Sequence, residues 1–401
     1  MSRSVVITSV GVISSLGHEP GRIMEHLKND RVCFEPSPVD EKVPACPVRD
    51  FDARKFLGRF KNIRYLSRGA RFCVAAAMEA VRNSGLDSAM LDQAGLFVGT
   101  GPNLDIGGEC PEISSGRIDE DALQALWILR FLPNTPSCVI ASLAGIHGEN
   151  LTINTACSAS LQAIGEAFRK IRSGYSNMAF AGGGDSRLSA GGILAYRKAG
   201  ALLTASGDSE TAYAPFDCSR EGFVPGEGGA FLLLEDLEHA LNRGAKIWGE
   251  VCGYGNSMDG YNMTAPHPDG RQAEAAVRAA LNEAGMTPDQ VDAVSAHGTG
   301  TRLNDEMEAG LIDRVYGARP KVIALKSWFG HLSAACGAME TAVCLFCMQD
   351  GWLPPVRNLK SPCHARVNFV RNPIRDSPRT MMIENFGFGG QNAALLIRRW
   401  T

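Results

Sequence analysis

The stretch Leu151-Thr-Ile-Asn-Thr-Ala-Cys157-Ser-Ala-Ser160 decides how the chain is read. A β-branched run ends abruptly in small residues with a cysteine among them. A helical pattern opens behind it, with Leu161, Ile164, Phe168 and Ile171 on one face. A strand turning sharply into a helix sets the thiol at a helix N-terminus, where unpaired N–H groups and the positive dipole end favour a thiolate. The expectation is a thiol pKa below the free value of about 8.5. Small neighbours leave room for a carbonyl to approach. A buried structural cysteine fits the same stretch, since burial is the ordinary fate of that residue. Both readings stand open here.

Outward from this turn, apolar strands and helices alternate. Leu96-Phe-Val-Gly-Thr-Gly101 and Met178-Ala-Phe-Ala-Gly-Gly-Gly-Asp185 read as buried strands ending in glycine turns, and residues 72–84 as an alanine-rich helix. Residues 102–120 read as a loop and Ala122–Leu132 as an amphipathic helix. Beyond residue 240 the alternation starts again, with strands at Ala293–His297, Met381–Glu384 and Ala393–Ile397 and helices near 272–285, 305–315 and 331–349. The order indicates an α/β layer structure with a largely parallel sheet. It divides into an N-terminal half, 1–240, and a C-terminal half, 241–401, which points to an internal duplication.

Composition narrows the function. With 401 residues, 45% hydrophobic and 21% charged, the chain is an ordinary globular one with a large core. A net charge of −3 gives no global field for nucleic acid or anionic membrane. No apolar run approaches the ~18 residues of a membrane span. Twelve cysteines without framework spacing, and no signal-peptide pattern at Met1-Ser-Arg-Ser, point to the cytoplasm. Cys344 and Cys347 form a lone Cys-x-x-Cys in an apolar helical run, which reads as core; no cluster has metal-ligand spacing. One local positive field stands out. Arg54, Lys55, Arg59, Lys61, Arg64, Arg68 and Arg71 fall in nineteen residues that contain no acid. A solvated face explains such a run; so does a dock for an acidic partner or a phosphate-bearing substrate.

Three further motifs sit where strands end. Ala296-His297-Gly-Thr-Gly-Thr301 puts a histidine before a glycine turn. Leu325-Lys326-Ser-Trp-Phe-Gly-His331 places a lysine five residues before a histidine that opens a helix. Asn385-Phe-Gly-Phe-Gly-Gly-Gln-Asn392 is a glycine turn bracketed by aromatics. Each alone is weak, but a cysteine and two histidines at such turns in one α/β chain is a constellation.

Thr155-Ala-Cys157-Ser, His297-Gly-Thr-Gly-Thr301 with Asp305 and Glu308, Lys326 to Gly330-His331, and Phe386-Gly-Phe388-Gly-Gly, in that order, resemble the elongating β-ketoacyl-acyl-carrier-protein synthases of type II systems. These are ketosynthases of the thiolase-like superfamily. The resemblance runs from the first strand to the last. It implies a duplicated βαβαβαββ core in five layers, αβαβα, and a homodimer, or a heterodimer with a ketosynthase-like chain. It implies decarboxylative Claisen condensation of an acyl-enzyme with malonyl-carrier protein in fatty-acid or polyketide chain elongation. Cys157 matches the nucleophile, and His297 and His331 the pair that binds and polarises the malonyl thioester. The backbone N–H groups of Cys157 and Phe388 match the oxyanion hole, and the Phe388 ring the gate over the pocket. Lys326 and Glu340 match a supporting ion pair, Thr299 and Thr301 the contacts to the pantetheine arm, and Phe386 a substrate-binding position. No resident cofactor is implied, because substrates arrive on the phosphopantetheine of an acidic carrier protein. That partner suits the basic residues Arg54, Lys55, Arg59, Lys61, Arg64 and Arg68.

The chain departs from the family pattern in places. Trp328 and Phe329 precede Gly330-His331 where smaller residues are usual, Asn304 replaces a glycine before Asp305, and Glu384 stands where asparagine is usual. Bulk beside His331 is expected to narrow or re-route the acyl pocket, which points to a specialised pathway. The competing readings are acyl transfer without decarboxylation on the same scaffold, and a non-catalytic subunit that binds a carrier protein or an active homologue.

Overall fold

Val5-Val-Ile-Thr-Ser-Val-Gly-Val-Ile13 is a strand buried along its whole length, and that run without polar alternation marks it as central to a sheet covered on both faces. The computed structural model describes residues 3–104, 124–204 and 209–400. Most of the loop expected over 102–120, Cys110 and the start of the helix expected at Ala122–Leu132 lie outside them. What is described of that helix is a short 3₁₀ turn, Trp127–Arg130.

Ten strands form one hydrogen-bonded sheet. We number them β1 (Val5–Ile13), β2 (Gly95–Gly99), β3 (Asn150–Ile153), β4 (Met178–Ser186) and β5 (Glu227–Asp236) in the first half. The second half carries β6 (Gly249–Met258), β7 (Ala293–Ser295), β8 (Lys321–Ile323), β9 (Thr380–Gly387) and β10 (Gln391–Arg399). Their order is β8-β7-β9-β10-β6-β1-β5-β4-β2-β3. In each half β2 or β7 pairs in parallel with the two strands beside it, and the remaining pairs are antiparallel. The two sets thus share one strand order and one pattern of strand senses. They meet through three residue pairs, Val5–Val251, Val6–Glu250 and Ile7–Gly249.

Helices complete the layers. Helix α1 (Arg68–Ser84) covers β1, β4 and β5 from outside, and α3 (Arg271–Ala284) covers β6 and β10. Between the sets lie α2 (Ala159–Arg172) and α5 (Cys336–Asp350). Every residue of α5 from Cys336 to Met348 is buried, Cys344 and Cys347 included, as befits a helix apolar all round. α2 and α5 touch where Gly337 faces Leu161, so closely that an added Cβ would stand 2.4 Å from the Leu161 Cβ. α4 (Arg302–Tyr316) follows β7. Among the described residues no helix is long and apolar enough to cross a membrane.

Two expected boundaries move for physical reasons. α1 begins at Arg68 because the Ser67 hydroxyl accepts from Ala70 N–H and caps it. The helix expected to open at His331 begins at Cys336 instead. Ser333 has a left-handed backbone, φ 49°, which interrupts any helix before it, and a 3₁₀ turn over Ser333–Ala335 leads into α5.

Candidate active site

The turn after β3 holds the cysteine. Ala156 takes φ 49°, residues Ala156–Ser158 make a 3₁₀ turn, and α2 starts at Ala159. The turn before α5 repeats the construction, with Ser333 at φ 49° and the 3₁₀ turn Ser333–Ala335. The two are tied together, since Ser160 Oγ, at the start of α2, accepts from Ala338 N–H, at the start of α5 (3.1 Å).

The loop His297–Thr301 follows β7 and is held from α4 by two buried acids. Glu308 accepts the N–H groups of His297 (2.5 Å) and Gly298 (2.8 Å). Asp305 accepts those of Gly300 (3.1 Å) and Phe216 (2.7 Å). Asn304, which the family pattern does not expect, donates to both acids at 3.1 Å and so adds to this clamp. Burial raises the Glu308 carboxyl to about 8.

These turns bring the Cys157 sulphur and ligating nitrogens of His297 and His331 within 4.8 Å of one another, all three residues buried. The imidazole rings stand perpendicular with centres 5.6 Å apart. Ser333 N–H donates to His331 Nδ1 at 3.0 Å; Nδ1 is therefore the acceptor and the ring proton sits on Nε2. Burial, and then the nearby Lys326 ammonium, hold both imidazoles well below the usual histidine range, so both are neutral at pH 7. Lys326 is fully buried and pairs with Glu340 at 2.5 Å. Burial works against its ammonium, and Glu340 more than restores it. The second Glu340 oxygen accepts from Asn385 Nδ2 at 2.6 Å, and the same amide lies 3.5 Å from His297 Nδ1.

The thiol itself departs from expectation. Burial pushes Cys157 up to about 11, against the lowering pull of Lys326 and of the Phe388 backbone N–H that points at the sulphur. The helix end does not prevail over the loss of water. Among the described residues, Cys157, His297 and His331 form the one cluster spaced to ligate a metal. A protonated thiol and the cations Lys326 and Arg187 beside it disfavour a divalent ion there.

A cavity of about 280 Å³ joins Cys157, His297, His331, Thr299, Thr301, Phe386 and Phe388. Thr299 and Thr301 share a hydroxyl hydrogen bond at 2.9 Å, and the Phe223 ring stands 5.0 Å from that of His331. Lys326 and Glu340 lie behind the histidines. The departures settle elsewhere. Trp328 donates to Pro355 O at 2.9 Å and faces a separate hollow with Leu27 and Arg357; neither it nor Phe329 lines the cavity. The Glu384 carboxyl turns toward α4, where Tyr316 donates to it at 3.3 Å.

The basic stretch divides. Arg68 donates from Nε and one terminal nitrogen to buried Glu227, at 2.7 and 2.5 Å, while its side chain stays half exposed. Arg54, Lys55, Arg59, Lys61 and Arg64 are exposed, and among the described residues none of the five is in an ion pair. Sequence reading passed over Asn385 and Arg187. Asn385 had a signal in its place beside the aromatic turn. Arg187 had one in being a lone cation directly after a glycine-rich strand end.

A strand-end cysteine and two neutral histidines in a duplicated α/β core can carry out acyl transfer through a thiol. Family models for the β-ketoacyl synthase N-terminal domain and C-terminal domain match residues 2–240 and 248–360. The 3-oxoacyl-[acyl-carrier-protein] synthase 2 of Synechocystis is 33% identical over 99% of this chain and 98% of its own. A β-ketoacyl synthase crystal structure from Burkholderia phymatum superposes with a TM-score of 0.92 at 30% identity, covering both chains fully. A type II polyketide synthase acyl-carrier protein in complex with its ketosynthase, bound to the hexaketide, matches with a TM-score of 0.88 at 25% identity, again over both full chains. The chain belongs to the β-ketoacyl synthase family, and its fold is the thiolase-like one.

Proposed function

We propose that this chain is a β-ketoacyl-acyl-carrier-protein synthase that performs a decarboxylative Claisen condensation in the cytoplasm. The observation that carries the reading is the buried thiol facing two neutral imidazoles within 4.8 Å. In the first half-reaction Cys157 Sγ attacks the acyl thioester of a carrier protein. The C–S bond to pantetheine breaks, the acyl group moves to Cys157, and the thiol proton leaves with the pantetheine thiol. In the second, malonyl-carrier binds with its thioester oxygen at the two histidines. The bond to its carboxylate breaks, CO₂ leaves, and the electron pair becomes an enolate whose oxygen accepts from the imidazoles.

Neutrality matters here. A neutral N–H stabilises the enolate without protonating it, and Lys326, held by Glu340, keeps each ring from taking a further proton. The enolate carbon then attacks the acyl-Cys157 carbonyl. The oxyanion that forms lies at the N–H groups of Cys157 and Phe388, and collapse returns the thiolate. Thr299 and Thr301 hold the pantetheine arm, and Phe386 and Phe388 close the cavity. No resident cofactor is needed; phosphopantetheine comes with the substrate. Arg54, Lys55, Arg59, Lys61 and Arg64 receive the acidic carrier, and the working unit is a dimer.

The test is intact-protein mass spectrometry with acyl-carrier, followed by CO₂ release from malonyl-carrier. Wild type gains the acyl mass on Cys157, and Cys157→Ala forms no β-ketoacyl product. Product formation by Cys157→Ala at the native rate overturns the reading.

A further inference from the structure

Behind His331 stands a second thiol. Cys336 opens α5, is fully buried and does not line the catalytic cavity. Its sulphur lies 3.1 Å from His331 Nδ1. The elbow before α5 makes this contact. Ser333 takes the left-handed backbone, the 3₁₀ turn follows, and Cys336 comes three residues past Ser333. In the Cys157 elbow the same place, three residues past Ala156, belongs to Ala159, whose side chain has nothing to donate.

The direction of the bond follows from its neighbours. Ser333 N–H donates to the same Nδ1 at 3.0 Å, so that nitrogen carries no proton and can only accept. The thiol is therefore the donor. Burial keeps its proton in place by raising Cys336 well above the usual thiol range. The Leu332 N–H meets the sulphur and occupies its acceptor side. Two donors thus converge on His331 Nδ1. His297 Nδ1 is served less well. The Asn385 amide lies 3.5 Å from it, and that amide already donates to Glu340 and to the Glu384 carbonyl, each at 2.6 Å. A donor bonded to Nδ1 draws electron density from the ring and polarises the Nε2–H on its far side.

We propose that Cys336 is a positioning residue which, by donating its S–H to His331 Nδ1, makes His331 Nε2–H the stronger of the two imidazole donors to the enolate oxygen. The inference rests on the condensing role given above and adds that the two histidines are unequal in it.

The experiment uses the full chain carrying ¹⁵N-labelled histidine. Cys336→Ala removes only the sulphur, in a stretch already rich in alanine, and Cys336→Ser keeps a donor there. In Cys336→Ala the His331 Nδ1 resonance is expected to move downfield, as an imine nitrogen does on losing a donor. CO₂ release from malonyl-carrier should fall roughly fivefold in kcat at unchanged KM, while acyl-carrier acylates Cys157 at the native rate. Cys336→Ser should restore both the resonance and the rate. Cys336→Val, which fills the space without a donor, serves if Cys336→Ala does not fold. An unmoved resonance, a serine variant as slow as the alanine one, or acylation slowed as much as decarboxylation overturns the inference while leaving the condensing role intact. Absence of CO₂ release by the wild type overturns both.

Discussion

At the scale of the residue, Cys157 shows which of two opposed effects wins. A helix end is worth about 0.3–1 kcal/mol within its first turn. Removing water from an ionised group moves its pKa by up to several units at about 1.4 kcal/mol each. With Cys157 buried, desolvation prevails and the thiol sits near 11. An acid whose pKa is raised is more protonated at any given pH, so the thiolate fraction is small at neutrality and grows as pH rises. Alkylation of Cys157 by iodoacetamide should therefore quicken about tenfold per unit between pH 8 and 10, followed by intact mass. A plateau already at pH 8 contradicts this. The sequence shows the thiol at its turn, but Phe386 and Phe388, which line its cavity, come from the far end of the chain. Local pattern places the thiol at its turn and does not carry the sign of its shift. The same limit hid Arg68, whose partner Glu227 lies on a distant strand.

At the scale of the element, the strands and helices were legible because they are long and strongly patterned, as in β1, α1 and α2. The second elbow was not. Ser333 at φ 49° has no propensity signal, since glycine is the residue that ordinarily announces a left-handed turn. The helix after it therefore read as starting at His331. The elbows are held in register by the contact of α2 and α5, which Gly337 permits. Gly337→Ala places a methyl 2.4 Å from the Leu161 Cβ and 2.6 Å from Asn385 Oδ1. It should cost roughly 1–3 kcal/mol, seen as a lower urea midpoint. It should also slow condensation, because Asn385 supports Glu340 and stands beside His297. An unchanged midpoint would show that the two helices yield more freely than their packing implies.

At the scale of the whole molecule, the duplication places Cys157, the proposed nucleophile, in one half and both histidines in the other. The proposed carrier docking belongs to this scale too, since the basic residues assigned to it lie outside the cavity. Reversing Arg59, Lys61 and Arg64 to glutamate should raise KM for carrier-borne substrate about tenfold and flatten its salt dependence. KM for the same acyl group on bare pantetheine should not follow. If the two rise together, the basic face is not the dock.

The division between halves also has a consequence in time. The ribosome delivers Cys157 long before His297, Lys326, His331 and the Phe388 turn. A nascent first half carries the thiol with neither the two histidines nor the N–H that meets its sulphur, so the proposed mechanism gives it no condensing activity. The Phe388 N–H meets the sulphur only in a chain whose β9 is paired beside β7.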